Sequence, residues 1–538
     1  MCEQTLDSRA AQIEIPVGKS PLGWFRFLFP SVADLIFIIL MTAMTGRALN
    51  SRLLGDASIG WHIRNGDLML KSQAITRADP FSVTMGGQPW FAWEWLYDVV
   101  IAGIHQWLGL NGVVLFSAVV IAATFALTLR LTLRRGADLL VSALLLALSL
   151  GASMIHLFAR PHVLSWLFTV IWFQLLDISE NEPVDSRRLW WLPGLTLLWV
   201  NLHGGFVVGF VLLGLYIISA AIRWYRCEQR DMHANRARRL QQLGLVAAAS
   251  LLASLVNPYG YRLHIHVYRY LSSRWLMNHI DEFLSPDFHG VAQQCFVMLL
   301  LITIVALAVS RKPRLSQILV ILFATYSGLY ASRSLPVSAL LLTLVIGPLL
   351  TRAINQSGDN HALSLRLRRF LSRWGTFGSR MKIVDLKLRG HAWPLIAVLA
   401  GLMVCTIGGT GASRQWVNAN FDAKRFPVQA VNQIGQRNIR EAIFAPDLWG
   451  GYLIYRLYPQ SKVFVDDRHD LYGEQFLKDY LKTIRLTPGW KGFLNDRNVR
   501  WVLLPAGSSL ANMLELTSQW NVIYRDETAV LFSRDSTL

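Results

Sequence analysis

Long apolar runs, broken by short polar segments, constrain this chain more than any other feature. Runs such as LIFIILMTAMTG, VVLFSAVVIAATFAL, LLVSALLLALSL, FVVGFVLLGLYIISAAI and SALLLTLVIGPLL recur along its 538 residues. A helix of about 20 apolar residues matches the hydrocarbon core of a bilayer and satisfies its own backbone there. Only 16% of the residues are charged, against about 25% in a soluble domain. The fold class expected is therefore an α-helical polytopic membrane protein. Eleven spans are predicted, near 32–49, 113–133, 138–155, 163–178, 189–202, 206–222, 241–256, 291–310, 315–331, 335–352 and 392–411.

The net charge of +18 is carried in blocks. Arg134 and Arg135, Arg187 and Arg188, the run 223–239, RKPR (311–314) and the block from Arg352 to Arg389 each follow an even-numbered span. Positive residues concentrate on the cytoplasmic side of membrane proteins. The expectation is a cytoplasmic segment 1–31, an uncleaved first span and a transmembrane region 32–411. The acids Glu3, Asp7 and Glu14 speak against a removable leader. No nucleic-acid-binding module accompanies the charge, so nucleic acid is not an expected partner. Cys2, Cys227, Cys295 and Cys405 suggest neither a disulfide nor a metal knuckle.

The opposite, outer side receives the polar chemistry. The loop 50–112 carries Asp56, His62, Asp67, Asp79, Glu94 and Asp98 among Trp61, Trp90, Trp93 and Trp95. A short interfacial helix is expected after Asp56, with Ile59, Ile63, Leu68 and Leu70 on its apolar face and Arg64, Asn65 and Asp67 opposite. Pro80 and Gly86-Gly87 mark turns. A helix should start near Trp93 and break at Gly109. The tryptophans suit headgroup depth. Partial desolvation there raises a carboxylate's proton affinity, which suits Asp56 and Glu94 as general bases. The same pair could instead hold a divalent cation, Mg or Mn, through oxygen ligands.

Further motifs share that side. Arg160 and Arg333 have the planar fork suited to a lipid phosphate. His162 lies beside Arg160, and Asn201 and His203 end an apolar helix. Asn257-Pro258-Tyr259-Gly260 reads as a turn, and His264 and His266 read as surface residues. From 412 to 538 the composition changes to that of a small extracytoplasmic α/β domain. Strands are predicted at 440–445, 462–465, 500–504, 522–525 and 529–533, with helices at 452–457 and 475–485. The loop Asp466-Asp467-Arg468 with Asp470 either closes a ligand site or forms a turn with local ion pairs. No phosphate-cradling glycine loop is present.

The motifs D-x4-WHI-x2-G (56–66), ADPFS (78–82), PW-x3-EWL (89–96), NLHGGF (201–206), NPYG (257–260), WGGYLIYR (449–456) and VDDRHDLYG (465–473) together resemble a bacterial family of GT-C-like membrane proteins. The GT-C superfamily comprises polytopic glycosyltransferases that use polyprenyl-phosphate-linked sugars. The resemblance implies a GT-C-like fold in a bacterial inner membrane. It implies catalysis by Asp56 with Glu94 and His62. Substrate binding would fall to Arg160, His162, Asn201, His203, Arg333, Asp79 and Trp95. Trp95 stands where sugar transferases of this type often carry a basic residue. The implied partners are a lipid-linked sugar donor, membrane lipids, and a glycan, lipid or protein acceptor. The alternative is a lipid-glycan transporter or an envelope-assembly scaffold. A transporter predicts repeats and midplane charges, and the sequence shows no clear repeat.

Overall fold

The computed structural model describes residues 23–46, 49–181, 187–227, 230–310, 313–356, 364–411 and 414–534. Cys2, Glu3, Asp7, Glu14, Arg311 and the expected junction at 412 lie outside the described residues. Each of the eleven expected spans contains a helix, with the first ending at Thr45 and the last at Thr406. Among the described residues, seven helices are long and apolar enough to cross a membrane alone. The pair Leu365–Lys387 and Ala392–Thr406, bent by 67°, would make an eighth. The other three expected spans fall short for physical reasons. Trp191–Leu202 stops at the NLHGG turn, Arg230–Ser254 begins with basic residues, and Leu315–Tyr330 has only 16 residues.

The charge blocks predict which loops share an end of the bundle, and the structure groups them that way. At one end, here the basic face, Arg135 meets Asp177 at 2.9 Å. Arg314 reaches Asp177 at 2.8 Å and Glu180 at 3.3 Å, and Arg223 reaches Glu180 at 2.6 Å. These contacts join the ends of four helices that are far apart in sequence. The opposite end, the loop face, holds residues 50–112, the turns at 160, 203, 257 and 333, and the C-terminal region.

The C-terminal region forms a four-stranded sheet in the order Ile443–Phe444, Trp501–Pro505, Ala529–Arg534, Trp520–Arg525. The first pair is parallel and the others antiparallel. The expected strand at 462–465 is reduced to one residue, Val463, which bridges both Ile443 and Ser82 of the first loop. Val83 N–H donates to the Val463 carbonyl at 3.0 Å, and Val463 N–H donates to Phe81 at 3.2 Å. The sheet therefore continues into the loop between the first two spans. The two regions fold as one layer, although some 380 residues separate them.

A glycine seam makes this layer possible. The helix Asp447–Leu457 packs on the loop helix Ser58–Ser72. A Cβ at Gly60 would lie 2.2 Å from the Gly451 carbonyl oxygen, and one at Gly451 would lie 2.3 Å from the Ala57 carbonyl oxygen. Both glycines belong to sequence motifs, and backbone approach explains them. The loop helix also differs from expectation. Asn65 is buried and bonded to Asp98 at 2.6 Å rather than open to water. Trp61 and Trp90 are buried inside the layer. Gly60→Ala and Gly451→Ala are each expected to lower the melting temperature of the purified protein. Gly103→Ala, whose added Cβ meets nothing within 4 Å, should leave it unchanged or raise it slightly.

Candidate active site

Asp56 lies between the short helix Asn50–Leu53 and the loop helix Ser58–Ser72, where its Oδ1 accepts the Ser58 N–H at 2.9 Å. Its Oδ2 lies 3.0 Å from Arg160 Nη1, which also reaches Glu282 Oε1 at 2.6 Å. Arg160 is carried into place by backbone docking: Ala159 N–H donates to Leu53 at 2.7 Å, and Tyr97 Oη donates to the Ala159 carbonyl at 3.0 Å. Burial opposes ionisation of Asp56, but the Arg160 guanidinium overcomes it and holds the carboxyl below its usual range. The expected rise in proton affinity at Asp56 is thus reversed. Glu282, in the turn Asp281–Phe283, is likewise held below its usual range against burial, by Arg160 and then Arg333. Nothing in its local sequence marks it as a site residue.

Glu94 has the opposite environment. Its carboxylate lies between two imidazoles, His62 Nε2 at 3.7 Å and His203 Nε2 at 3.5 Å. His62 Nδ1 is 2.5 Å from Asp98, which Asn65 also holds. His203 Nδ1 accepts the Gly205 N–H at 3.0 Å and lies 2.7 Å from Ser165 Oγ. Because His203 Nδ1 is an acceptor, the neutral ring carries its proton on Nε2, facing Glu94. Burial pushes the Glu94 carboxyl up to about 7, and it pushes His62 down to about 3. His62 therefore contacts Glu94 and Asp98, and not Asp56. The field of Arg160 reaches both Glu94 and His62, so the two carboxylate clusters share one electrostatic neighbourhood.

The C-terminal region closes over them. Arg468 is buried, with its guanidinium on Asp466 at 2.7 and 2.8 Å and on Asp79 at 2.8 Å. It lies 4.5 Å from the centre of the Trp90 ring and 5.2 Å from that of Phe81. Asp79, expected to bind substrate, instead caps its own turn and pairs with Arg468. The next carboxylate, Asp467, accepts the Trp61 indole N–H at 3.0 Å. Burial, then the nearby Asp56, pushes its carboxyl up to about 7. The Asp466–Arg468 loop is thus part of the site neighbourhood.

The remaining candidates divide between structure and site. Trp95 donates its indole N–H to Asn201 Oδ1 at 2.8 Å, and Asn201 ties two helix ends through Leu197 and Val256. This pair braces the loop against two helix ends. His162 Nε2 bonds the His156 carbonyl at 2.8 Å. Arg333 lies 4.5 Å from the Phe283 ring centre, next to Glu282, and makes no ion pair among the described residues. Tyr259 of NPYG accepts the Ala92 N–H at 2.8 Å and so fixes the loop. His266 stacks on Phe91 and reaches Asp470 at 3.0 Å, so it is an internal contact rather than a surface one. An open groove of about 540 Å³ along Val83, Thr84, Phe464 and Arg497 includes none of the carboxylates of this site.

Among the described residues, no three His, Cys, Asp or Glu side chains are grouped to hold a metal ion. Asp56 and Glu94, expected as a cation's ligands, face different partners: Arg160 and Ser58 for one, two histidines for the other. That donor set does not fit a shared divalent cation.

Glu94 yields a test of sign. Unfolded, it ionises near 4.5; folded, near 7. Between those values unfolding releases a proton, so stability falls as pH rises through that window. Wild-type protein should lose melting temperature more steeply than Glu94→Gln between about pH 5 and 7. Parallel slopes in scanning fluorimetry would contradict the assignment.

No family model and no curated protein matches the sequence. Solved structures do. The apo oligosaccharyltransferase of Archaeoglobus fulgidus matches with a TM-score of 0.54 at 10% identity, over 90% of this chain and 70% of that one. ArnT from Cupriavidus metallidurans in the apo state matches with 0.50 at 14% identity, over 93% and 98%. The archaeal oligosaccharyltransferase AglB, in complex with an inhibitory peptide and a dolichol-phosphate, matches with 0.50 at 10%, over 96% and 75%. The chain is an integral membrane protein with the GT-C fold, the fold of the glycosyltransferases its loop motifs resemble.

Proposed function

We propose that this protein is a membrane glycosyltransferase that moves a sugar from a polyprenyl-phosphate-linked donor to an acceptor at the loop face. One observation carries the reading. Asp56 and Arg160, 104 residues apart, meet at 3.0 Å at that end of the membrane bundle, within electrostatic reach of Glu94. In this reading the basic face is cytoplasmic, and the loop face and the C-terminal layer lie outside a bacterial inner membrane. Nucleotide sugars are kept in the cytoplasm, so a transferase working outside needs a lipid-linked donor. The dolichol-phosphate held by AglB, a protein of the same fold, supports that donor class by analogy.

In this reading the donor's phosphate sits between Arg160 and Arg333. Arg160 uses only Nη1 on Asp56 and Glu282 among the described contacts, which leaves Nη2 and Nε for a phosphate. Arg333 offers a second cation. The acceptor hydroxyl oxygen attacks the anomeric carbon, the bond from that carbon to the phosphate oxygen breaks, and the electron pair leaves with the lipid phosphate. Asp56, held ionised, takes the hydroxyl proton late in the step. A single displacement inverts the anomeric centre. Glu94, bracketed by His62 and His203, orients donor or acceptor. No step runs through a metal.

Asp56→Asn is expected to abolish transfer from a polyprenyl-phosphate sugar while leaving expression and melting temperature near wild type. Arg160 keeps Glu282 as a partner in that variant, so the fold has no uncompensated charge. Full activity in Asp56→Asn would overturn the assignment of the base. A purified wild-type protein inactive with every lipid-linked donor in a broad panel would overturn the function.

A further inference from the structure

At the basic face, the helix Leu365–Lys387 has a composition unlike the spans. Phe370, Trp374, Phe377, Met381 and Val384 recur at helical spacing and are all exposed. Arg366, Arg369, Arg373, Arg380 and Lys387 form a second stripe beside them. The third side faces protein. A Cβ at Gly378 would lie 2.7 Å from Asp138 Oδ1, and one at Gly375 would lie 2.4 Å from Asn355 Oδ1. The helix's only acid, Asp385, points the same way and accepts the Val32 N–H at 2.6 Å. What remains outside is apolar, positive or hydroxyl-bearing (Ser372, Thr376), and none of it is acidic.

Two further observations place this surface. The helix is bent by 67° from the apolar helix Ala392–Thr406 that follows it. With Ala392–Thr406 along the bilayer normal, as expected of the span at 392–411, a segment bent 67° from it runs closer to the membrane plane than to the normal. Trp24, Phe25, Phe27, Leu28 and Phe29 are exposed as well, and they are docked on the bend itself. Arg389 N–H donates to Arg26 at 2.7 Å, Gly390 N–H donates to Phe29 at 3.1 Å, and the Trp393 indole donates to Leu28 at 2.7 Å. His391 Nδ1 reaches Asp34 at 3.0 Å and ties the bend to the first span. Two exposed aromatic segments are thereby fixed at one level of the bundle.

We propose that Leu365–Lys387 and Trp24–Phe29 form a collar that lies in the leaflet at the basic face and binds acidic phospholipid headgroups. The aromatic stripe enters the acyl boundary, and the flanking arginines meet the lipid phosphates. Charge complementarity selects this occupant. An acidic leaflet supplies both the apolar layer and the negative charge that the two stripes need, whereas zwitterionic lipid supplies only the first. The inference stands apart from the transferase reading, because the collar lies at the opposite end of the bundle from Asp56.

The test uses the full chain in two measurements. Native mass spectrometry of protein released from mixed phosphatidylcholine and phosphatidylglycerol nanodiscs counts the lipids retained. Wild type should keep phosphatidylglycerol in preference. A variant with Arg366, Arg369, Arg373 and Arg380 changed to Gln should lose that preference by about tenfold, with its melting temperature unchanged as the folding control. The second measurement places a nitroxide at Phe377→Cys in a background lacking the native cysteines. Oxygen accessibility there should exceed that of a polar nickel reagent once the protein is in nanodiscs. No phosphatidylglycerol preference in wild type would overturn the proposal. So would a water-exposed nitroxide, or one buried against protein equally in detergent and in lipid.

Discussion

The loop face depends on one buried charge, the Arg468 guanidinium held between Asp466 and Asp79. Burying an ion costs several kcal/mol unless close partners compensate it. Here two carboxylates and the faces of Trp90 and Phe81 supply that compensation. The pairing joins a C-terminal loop to a loop between the first two spans, and the Val463 bridge and the Gly60–Gly451 seam run alongside it. Because Arg468 is fixed, Asp467 is fixed next to it, under Trp61 and close to Asp56. The site is therefore closed by a region that a linear reading treats as a separate domain.

Within this enclosure two carboxylates are driven in opposite directions. Asp56 touches a guanidinium and stays ionised; Glu94, buried between two imidazoles, keeps its proton to about pH 7 because burial disfavours its charge. Environments that separate the proton affinities of two acids also separate their roles. The ionised one suits proton capture, and the other suits hydrogen bonding to a sugar hydroxyl or phosphate. Arg160 couples the two, since it binds Asp56 directly and its field reaches Glu94.

Much of this was legible before any coordinates. Apolar runs place the helices because a bilayer admits few alternatives. Charge blocks sort the loops between two ends, and the contacts of Arg135, Arg223 and Arg314 at one end agree. Asp56 and Arg160 stand out as polar residues at span ends. Glu282 and Asp98 do not, because their importance comes from partners 122 and 36 residues away. Trp61 and Trp90 read as membrane anchors since indole suits both an interface and a cation, and only the fold reveals which it meets. His62 lies close to Asp56 in sequence, and its ring is directed toward Glu94 and Asp98. The strand expected at 462–465 is reduced to Val463, which bridges Ile443 on one side and Ser82 of the first loop on the other.

The central claim is that Arg160 and Arg333 hold a lipid phosphate beside Asp56 at the loop face. An experimental structure of the protein in lipid nanodiscs, with a polyprenyl phosphate added, tests it most directly. The phosphate is expected within hydrogen-bonding distance of Arg160 or Arg333, with the chain running between helices into the bilayer. A phosphate bound only at the basic face, near Arg135, Arg223 or Arg314, would contradict the claim.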